Sequence, residues 1–338
     1  MAFLNVQAID TATGVKPFRE LRATELDSRI LGEQIGVYGY VLIRNLLFPK
    51  DLNRLLTEIT QIVSTAGWLQ PDRDPLDRIA NASAACNDTD PTFKRVSDQV
   101  FNLESFHAFP HHPALCQTME LLVGPHLLVH PKPIPRLVFP NAEHFSPITH
   151  QDHHAIAGDI QTFTAWMPLH DCTTKLGPLQ ILAGSHRYGL QKTPPGTGVI
   201  PRKTARGDAW VGGRINAGDV LIFHSLTVHA ASPNTSTQLR VSLDCRFQSY
   251  DRPINPANLV FPGSSTKSWK SIYTNWRYNK LKYYWKDFSL QFKPSTAELA
   301  HLAQTAESPD MRARYARILA QLEAQMPVNP AQLNGTFK

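Results

Sequence analysis

The stretch Asp219–Ser236, DVLIFHSLTVHAASPNTS, decides how this chain is read. A Gly218-Asp219 turn opens a short apolar run, and polar turn residues close the stretch at Pro233-Asn234-Thr235-Ser236. A brief apolar run bounded by turns has the length of a buried strand rather than of a helix. Moving outward, the same texture holds from His126 to about Tyr250. The runs LLVH, RLVF, TFTAWMPL, LQIL, DVLIFH and LRVSLDCRF alternate with the turn clusters KPIP, KLGP, AGSH, PPGTG, VGGR, NAGD and SPNTS. Short strands separated by Gly/Pro turns predict an antiparallel sandwich or barrel. The longest interruption, about Tyr188 to Ala217, is too long for a tight hairpin and is expected to cover a site.

The flanks read differently. Gly36 to Phe48, GVYGYVLIRNLLF, predicts a short buried strand running into a turn at Pro49. A helix is expected from Asp51, with Leu52, Leu55, Leu56, Ile59 and Val63 on one face. Residues Gln70 to about Pro91 form a polar, turn-rich loop, and HHPALCQTMELLVG predicts a helix stopped by Gly124. After Asp251 the chain is basic and aromatic, most densely in residues 267–288, KSWKSIYTNWRYNKLKYYWKDF. Two helices follow, the first opened by a Ser295/Glu298 capping box, the second by Ser308-Pro309. The expectation is a mainly β fold with flanking helices, one domain over 1–338. Its β core spans about 126–250, with N-terminal helical support over 1–125 and a C-terminal helical extension over 251–338.

Bulk properties narrow the function. A hydrophobic content of 42% in 338 residues is ample for a core. The net charge of +6 is spread along the chain without a basic run, so nucleic acid is not an expected partner. Cys86, Cys116, Cys172 and Cys245 show neither CxxC pairing nor tight spacing, which argues against disulfides and thiolate zinc. No basic region followed by a long apolar run opens the sequence, and no apolar stretch approaches a membrane span. A cytoplasmic protein acting on a small molecule, with no membrane partner, is the expectation. Oligomeric state is open.

The chemistry concentrates in Thr149–His154, THQDHH. On a strand, His150 and Asp152 share a face, so an imidazole and a carboxylate can take neighbouring positions on one divalent metal. His153 then points away, and His154 lies roughly 13 Å from His150 at full extension, beyond one coordination sphere. A third ligand must come from elsewhere. His229 and, as an alternative, His224 both close apolar runs. Two histidines and a carboxylate on one face of an octahedron leave three positions open, the arrangement of non-haem Fe(II) oxygen chemistry. Arg240 on the next strand presents a fork for a carboxylate. His144, His153, His154, His170 and His186 read as surface or supporting residues.

Taken together, YGYVLIRNLLF, THQDHH, TAWMPLHDCTTKLGPLQILAGSHRYG, AGDVLIFHSLTVHAASPNTS and LRVSLDCRFQ resemble the phytanoyl-CoA dioxygenase family of Fe(II)- and 2-oxoglutarate-dependent oxygenases. The motifs fall in family order over most of the chain. The resemblance implies a double-stranded β-helix of jelly-roll, cupin-like form. It implies His150, Asp152 and His229 as iron ligands, Arg240 on the distal carboxylate of 2-oxoglutarate, and Trp166 lining that pocket. Arg136, one strand before the HQD, is placed to face cosubstrate or substrate. Where relatives often carry a polar residue just after the distal histidine, residues 230 and 231 are alanine. The hydroxyl comes at Ser232. Leu176 replaces a common asparagine before Gly177. The implied reaction uses O2, converts 2-oxoglutarate to succinate and CO2, and hydroxylates an unactivated C–H bond in specialised metabolism. The related halogenases lack the carboxylate that Asp152 supplies, so hydroxylation is the first expectation, with desaturation or cyclisation open on the same site. A non-catalytic ligand-binding barrel and a cupin-like isomerase are the competing classes.

Overall fold

The computed structural model describes residues 14–141, 148–194, 197–261 and 267–325. In chain order the strands are β1 (Lys16–Pro17), β2 (Glu20–Arg22), β3 (Tyr40–Arg44), β4 (Leu127–Val129), β5 (Ile134–Val138) and β6 (Phe163–Pro168). They continue with β7 (Leu179–Ala183), β8 (Ala209–Gly212), β9 (Val220–His224), β10 (His229–Ala231) and β11 (Arg240–Ser249). The major sheet runs β2-β3-β9-β6-β11-β4, with β5 also paired to β11, and the minor sheet runs β1-β8-β7-β10. These two sheets with helices packed on the outside form the double-stranded β-helix that the family resemblance implies, in keeping with the sandwich or barrel expected from the texture.

Period-two alternation divides the core into layers. Val41, Ile43, Val220, Ile222, Ala165 and Met167 point outward against the N-terminal helices. Tyr40, Leu42, Leu221 and Phe223 on the same strands point inward, against Leu179, Ile181 and Val211 of the minor sheet. Helix Pro49–Thr65 buries Leu52, Leu55, Leu56, Ile59 and Val63, the face expected from the sequence. It begins two residues earlier than expected because Pro49 suits the first helical turn, where its missing N–H goes unused. Helix Pro113–Val123 stops at Gly124 as expected, with φ 87°.

Three local readings are corrected. Gly36–Tyr38 belongs to helix Ser28–Tyr38, so the strand begins only at Tyr40. Gly39 makes the switch at φ 77°, and a Cβ there would sit 2.5 Å from His186 Nδ1. The long segment from Tyr188 to Ala217 contains β8, which is too short to show a period. His229 opens β10 rather than ending the preceding run, because β9 stops at His224 and the chain turns.

The C-terminal segment adds its own aromatic core. Trp269, Ile272, Tyr273, Trp276 and Trp285 are buried together with Leu128, Phe261, Ile318 and Leu322. Lys270, Arg277 and Lys280 lie on its exposed side as a solvated basic face over packed aromatics, while Lys267 and Lys282 are half-buried and bond to Asp98 O and Trp276 O. The Ser295/Glu298 capping box is present. No helix among the described residues is long and apolar enough to cross a membrane.

Candidate active site

His150, Asp152 and His229 converge, each offering one ligand atom, with these atoms within 4.8 Å of one another. They do so by a route different from the pleat. His150 and His229 face each other across an isolated antiparallel bridge, exchanging both backbone hydrogen bonds at 3.0 Å. Asp152 is not on a strand. Its backbone is helical, φ −58° and ψ −30°, and it leads into the single turn His153–Ile156. The chain's turn, not strand alternation, folds the carboxylate back beside the two imidazoles. His154 is thereby carried off, donating Nε2–H to Gln191 O at 3.1 Å. His224 lies beside Phe163 and His186, away from the cluster. His144 falls outside the described residues.

The hydrogen bonds fix the chemistry of the donor set. His150 Nδ1 lies 2.9 Å from Ile148 O, and His229 Nδ1 lies 3.0 Å from Thr227 O. A carbonyl only accepts, so each Nδ1 carries a proton, which leaves Nε2 as the nitrogen that can ligate a metal. Both Nε2 atoms face Asp152 Oδ1, at 3.6 and 3.9 Å. The other carboxylate oxygen, Oδ2, accepts from the Thr164 hydroxyl at 2.6 Å. Two imidazole Nε2 atoms and one carboxylate oxygen thus point at a common centre, with their remaining atoms tied to protein. That is how metal-binding histidines and carboxylates are oriented.

Electrostatics agree. Burial alone would raise the Asp152 carboxyl, but Arg246 and the two histidines hold it well below the carboxylate range. Arg246 Nη2 lies 3.6 Å from Oδ1. Burial and the neighbouring His150 push His229 down to about 4, so it is neutral at physiological pH. The donor set fits a hard or borderline divalent cation and leaves no thiolate for a soft one.

A cavity of ≈610 Å³ opens at His150 and His229 and extends to Arg240. Arg240 is 2% exposed, on the inner face of β11, with its guanidinium carbon 5.9 Å from the centre of the Trp166 ring. One terminal nitrogen donates to Gly177 O, while Nε is buried with no partner among the described residues. A buried guanidinium without a carboxylate is costly, and an anion entering the cavity would relieve it. The site therefore fits 2-oxoglutarate as well as a metal. Trp166 and Arg136 line the cavity too. Ser232 does not, and its place there is taken by Ala231.

Sequence reading missed Thr164, Arg246 and Gln151. The first two face inward on β6 and β11, where their register makes them direct cross-strand partners. Polar residues alternating with apolar ones in LRVSLDCRFQ were the available signal. Gln151 is fully buried and donates to Gly189 O and Leu226 O, while its oxygen accepts from Gln191 N. It pins the start of the long 188–217 segment to the turn that carries Asp152.

Comparison with known proteins gives a consistent picture. A family profile described as phytanoyl-CoA dioxygenase matches residues 36–242. The 1-deoxypentalenic acid 11-beta-hydroxylase of Streptomyces arenae is 25% identical over 241 residues, which span 66% of this chain and 81% of that protein. Among solved structures, the epimerase SnoN in complex with Fe3+, alpha-ketoglutarate and nogalamycin RO is similar at a TM-score of 0.50 and 20% identity, over 71% of this chain and 92% of that one. The non-heme monooxygenase ThoJ is similar at a TM-score of 0.50 and 18% identity, over 88% of this chain and 100% of that one. At these identities the two structures speak for the fold.

Proposed function

The chain belongs to the phytanoyl-CoA dioxygenase family, and on that premise we propose that it is an Fe(II)- and 2-oxoglutarate-dependent dioxygenase hydroxylating an unactivated C–H bond of a small organic molecule in specialised metabolism. The observation that carries this reading is the pair of Nε2 atoms and the single Asp152 oxygen converging beside a buried, unpaired guanidinium. In it His150, Asp152 and His229 hold the metal and Arg240 grips the distal carboxylate of 2-oxoglutarate, with Trp166 walling that pocket. Iron with its cosubstrate supplies the O2-dependent oxidation, releasing succinate and CO2. The chain's own part is to bind and orient. Thr164 and Arg246 hold Asp152 in its ligating orientation, and the cavity wall of Phe93, Phe101, Ile134, Ile148 and Phe261 excludes water from an apolar substrate.

Hydroxylation is preferred because the named relative is a hydroxylase and Asp152 supplies the carboxylate that halogenases lack, with desaturation or cyclisation the alternative on the same site. One domain is proposed for the whole chain, supported by Phe261, which joins the C-terminal aromatic core to the cavity wall. The test is spectroscopic. Fe(II) and 2-oxoglutarate added without oxygen should give a weak visible charge-transfer band, and Asp152→Ala should abolish it. A metal-replete wild type without the band would sink the reading.

A further inference from the structure

The guanidiniums lining or backing the cavity differ in depth and in partners. Three guanidiniums, Arg136, Arg240 and Arg246, stand against two carboxylates, Asp152 and Asp244. With a metal bound the two ligand histidines add no charge, since an imidazole ligates only through a free lone pair, here on Nε2 with Nδ1–H on a carbonyl. At the rim Asp98 lies 3.9 Å from Lys267, and Asp88 and Lys94 are opposite in sign. A divalent metal and dianionic 2-oxoglutarate cancel each other. The lining charges themselves sum to zero, Lys94, Arg136 and Arg240 against Asp88, Asp98 and Asp244, so what distinguishes the site is how its guanidiniums are partnered.

Arg136 donates Nε–H to Asp244 Oδ2 at 2.6 Å, and this is its one hydrogen bond among the described residues. The contact uses the side of the guanidinium and leaves the two terminal nitrogens available as a fork. The Arg136 side chain is 38% exposed and lines the cavity, while the Asp244 side chain that steadies it is 8% exposed. Arg240 differs, being enclosed beside Trp166 and Gly177. Two guanidiniums of unequal depth suit two different anions, the deeper one serving the cosubstrate.

We propose that the substrate is a predominantly apolar monocarboxylate whose carboxylate is held in bidentate fashion by the terminal nitrogens of Arg136, oriented by Asp244. The proposal rests on reading the same cavity as the 2-oxoglutarate site, and it names the substrate class for that site. Its apolar body lies against Phe93, Phe101 and Phe261, of which Phe101 and Phe261 pack edge to face at 5.2 Å.

The test uses the full chain loaded anaerobically with Fe(II) and 2-oxoglutarate. Matched pairs of cyclic carboxylic acids and their primary amides, from 1-adamantanecarboxylic acid to dehydroabietic acid, are titrated by calorimetry and by perturbation of the visible band. At least one acid should bind roughly 10- to 100-fold tighter than its amide, the range of a charge-assisted bidentate contact. Arg136→Gln should erase that preference and leave the 2-oxoglutarate titration within about twofold of wild type. Arg136→Gln/Asp244→Asn, which leaves no orphaned carboxylate, should do the same if the single variant folds poorly. The proposal is overturned if no acid outbinds its amide, if the preference survives in both variants, or if the 2-oxoglutarate titration is what shifts. Absence of the band in wild type would overturn the dioxygenase reading and this proposal together, a result distinct from a band without acid preference.

Discussion

The two faces of β11 share one backbone and nearly equal burial, yet their chemistry is opposite. Val241, Leu243, Cys245 and Phe247 face the N-terminal helices and are almost wholly buried in an apolar layer. Arg240, Ser242, Asp244, Arg246 and Gln248 alternate with them, face the barrel interior, and are also buried. The outer face earns stability by removing apolar area from water. The inner face costs stability and is kept in place by partners: Asp244 on Arg136, Asp152 near Arg246, His130 on Gln248. A buried charge held ready for a ligand is the expense of a binding site. One strand therefore serves as scaffold on one side and as recognition surface on the other.

Cutting each face separately sharpens the contrast. Leu243→Ala should lower unfolding free energy by about 3 kcal/mol, from lost transfer energy and the cavity left behind. Its 2-oxoglutarate affinity should be retained when measured well below the melting transition. Arg240→Ala should do the reverse. Chemical denaturation should show little change or a gain, because a buried unpaired guanidinium is removed, while 2-oxoglutarate binding weakens roughly 10- to 100-fold. A variant in which both quantities fell together would erase the distinction between the faces.

Two histidines fix the ends of this strand, and they make the contrast sensitive to pH. His170 Nε2 accepts from Val241 N–H at 3.0 Å, and His130 Nε2 lies 2.9 Å from Gln248 Oε1. Burial, with nearby arginines, pushes both down to about 3. An unfolded histidine titrates near 6.5, so between about pH 6.5 and 3 the unfolded chain binds more protons. The stability they confer is complete above pH 6.5 and drains away as the pH falls. Each should account for about 2 kcal/mol of the loss by pH 5. His170→Gln should flatten the fall in melting temperature across that window. An unchanged slope would show that His170 is already protonated in the folded protein.

The smallest expected effect is at Thr164. Thr164→Val should weaken metal binding about tenfold, the scale of losing a hydrogen bond to a ligating carboxylate, while Thr164→Ser holds near wild type. Equal binding by all three proteins would mean that the turn alone orients Asp152.

Much of the site was legible because its parts are short and local. HxD, the later histidine and Arg240 eleven residues beyond it stand in plain view, and the strand texture predicted the barrel. Less was legible where local pattern gives two answers. HQDHH reads as a strand by spacing, yet Gln151, buried and bound to Gly189 and Leu226, pulls it into a turn. His224 and His229 both close apolar runs, and only the bridge from His150 to His229 separates them. β8 and β10, at four and three residues, are too short to carry a period.

By itself the sequence determined which residue types are available and in what order: alternating strands, punctuating turns, two histidines, a carboxylate and an arginine. The tertiary structure alone decided that the inner half of β11 opens on a cavity while its outer half meets helices. It also decided that Asp152 arrives by a turn, and that Arg246 and Thr164 hold it. Alternation is a local property of the backbone and says only that neighbours face opposite ways. Which way is core and which is site depends on what packs there, and those partners lie far apart in the chain.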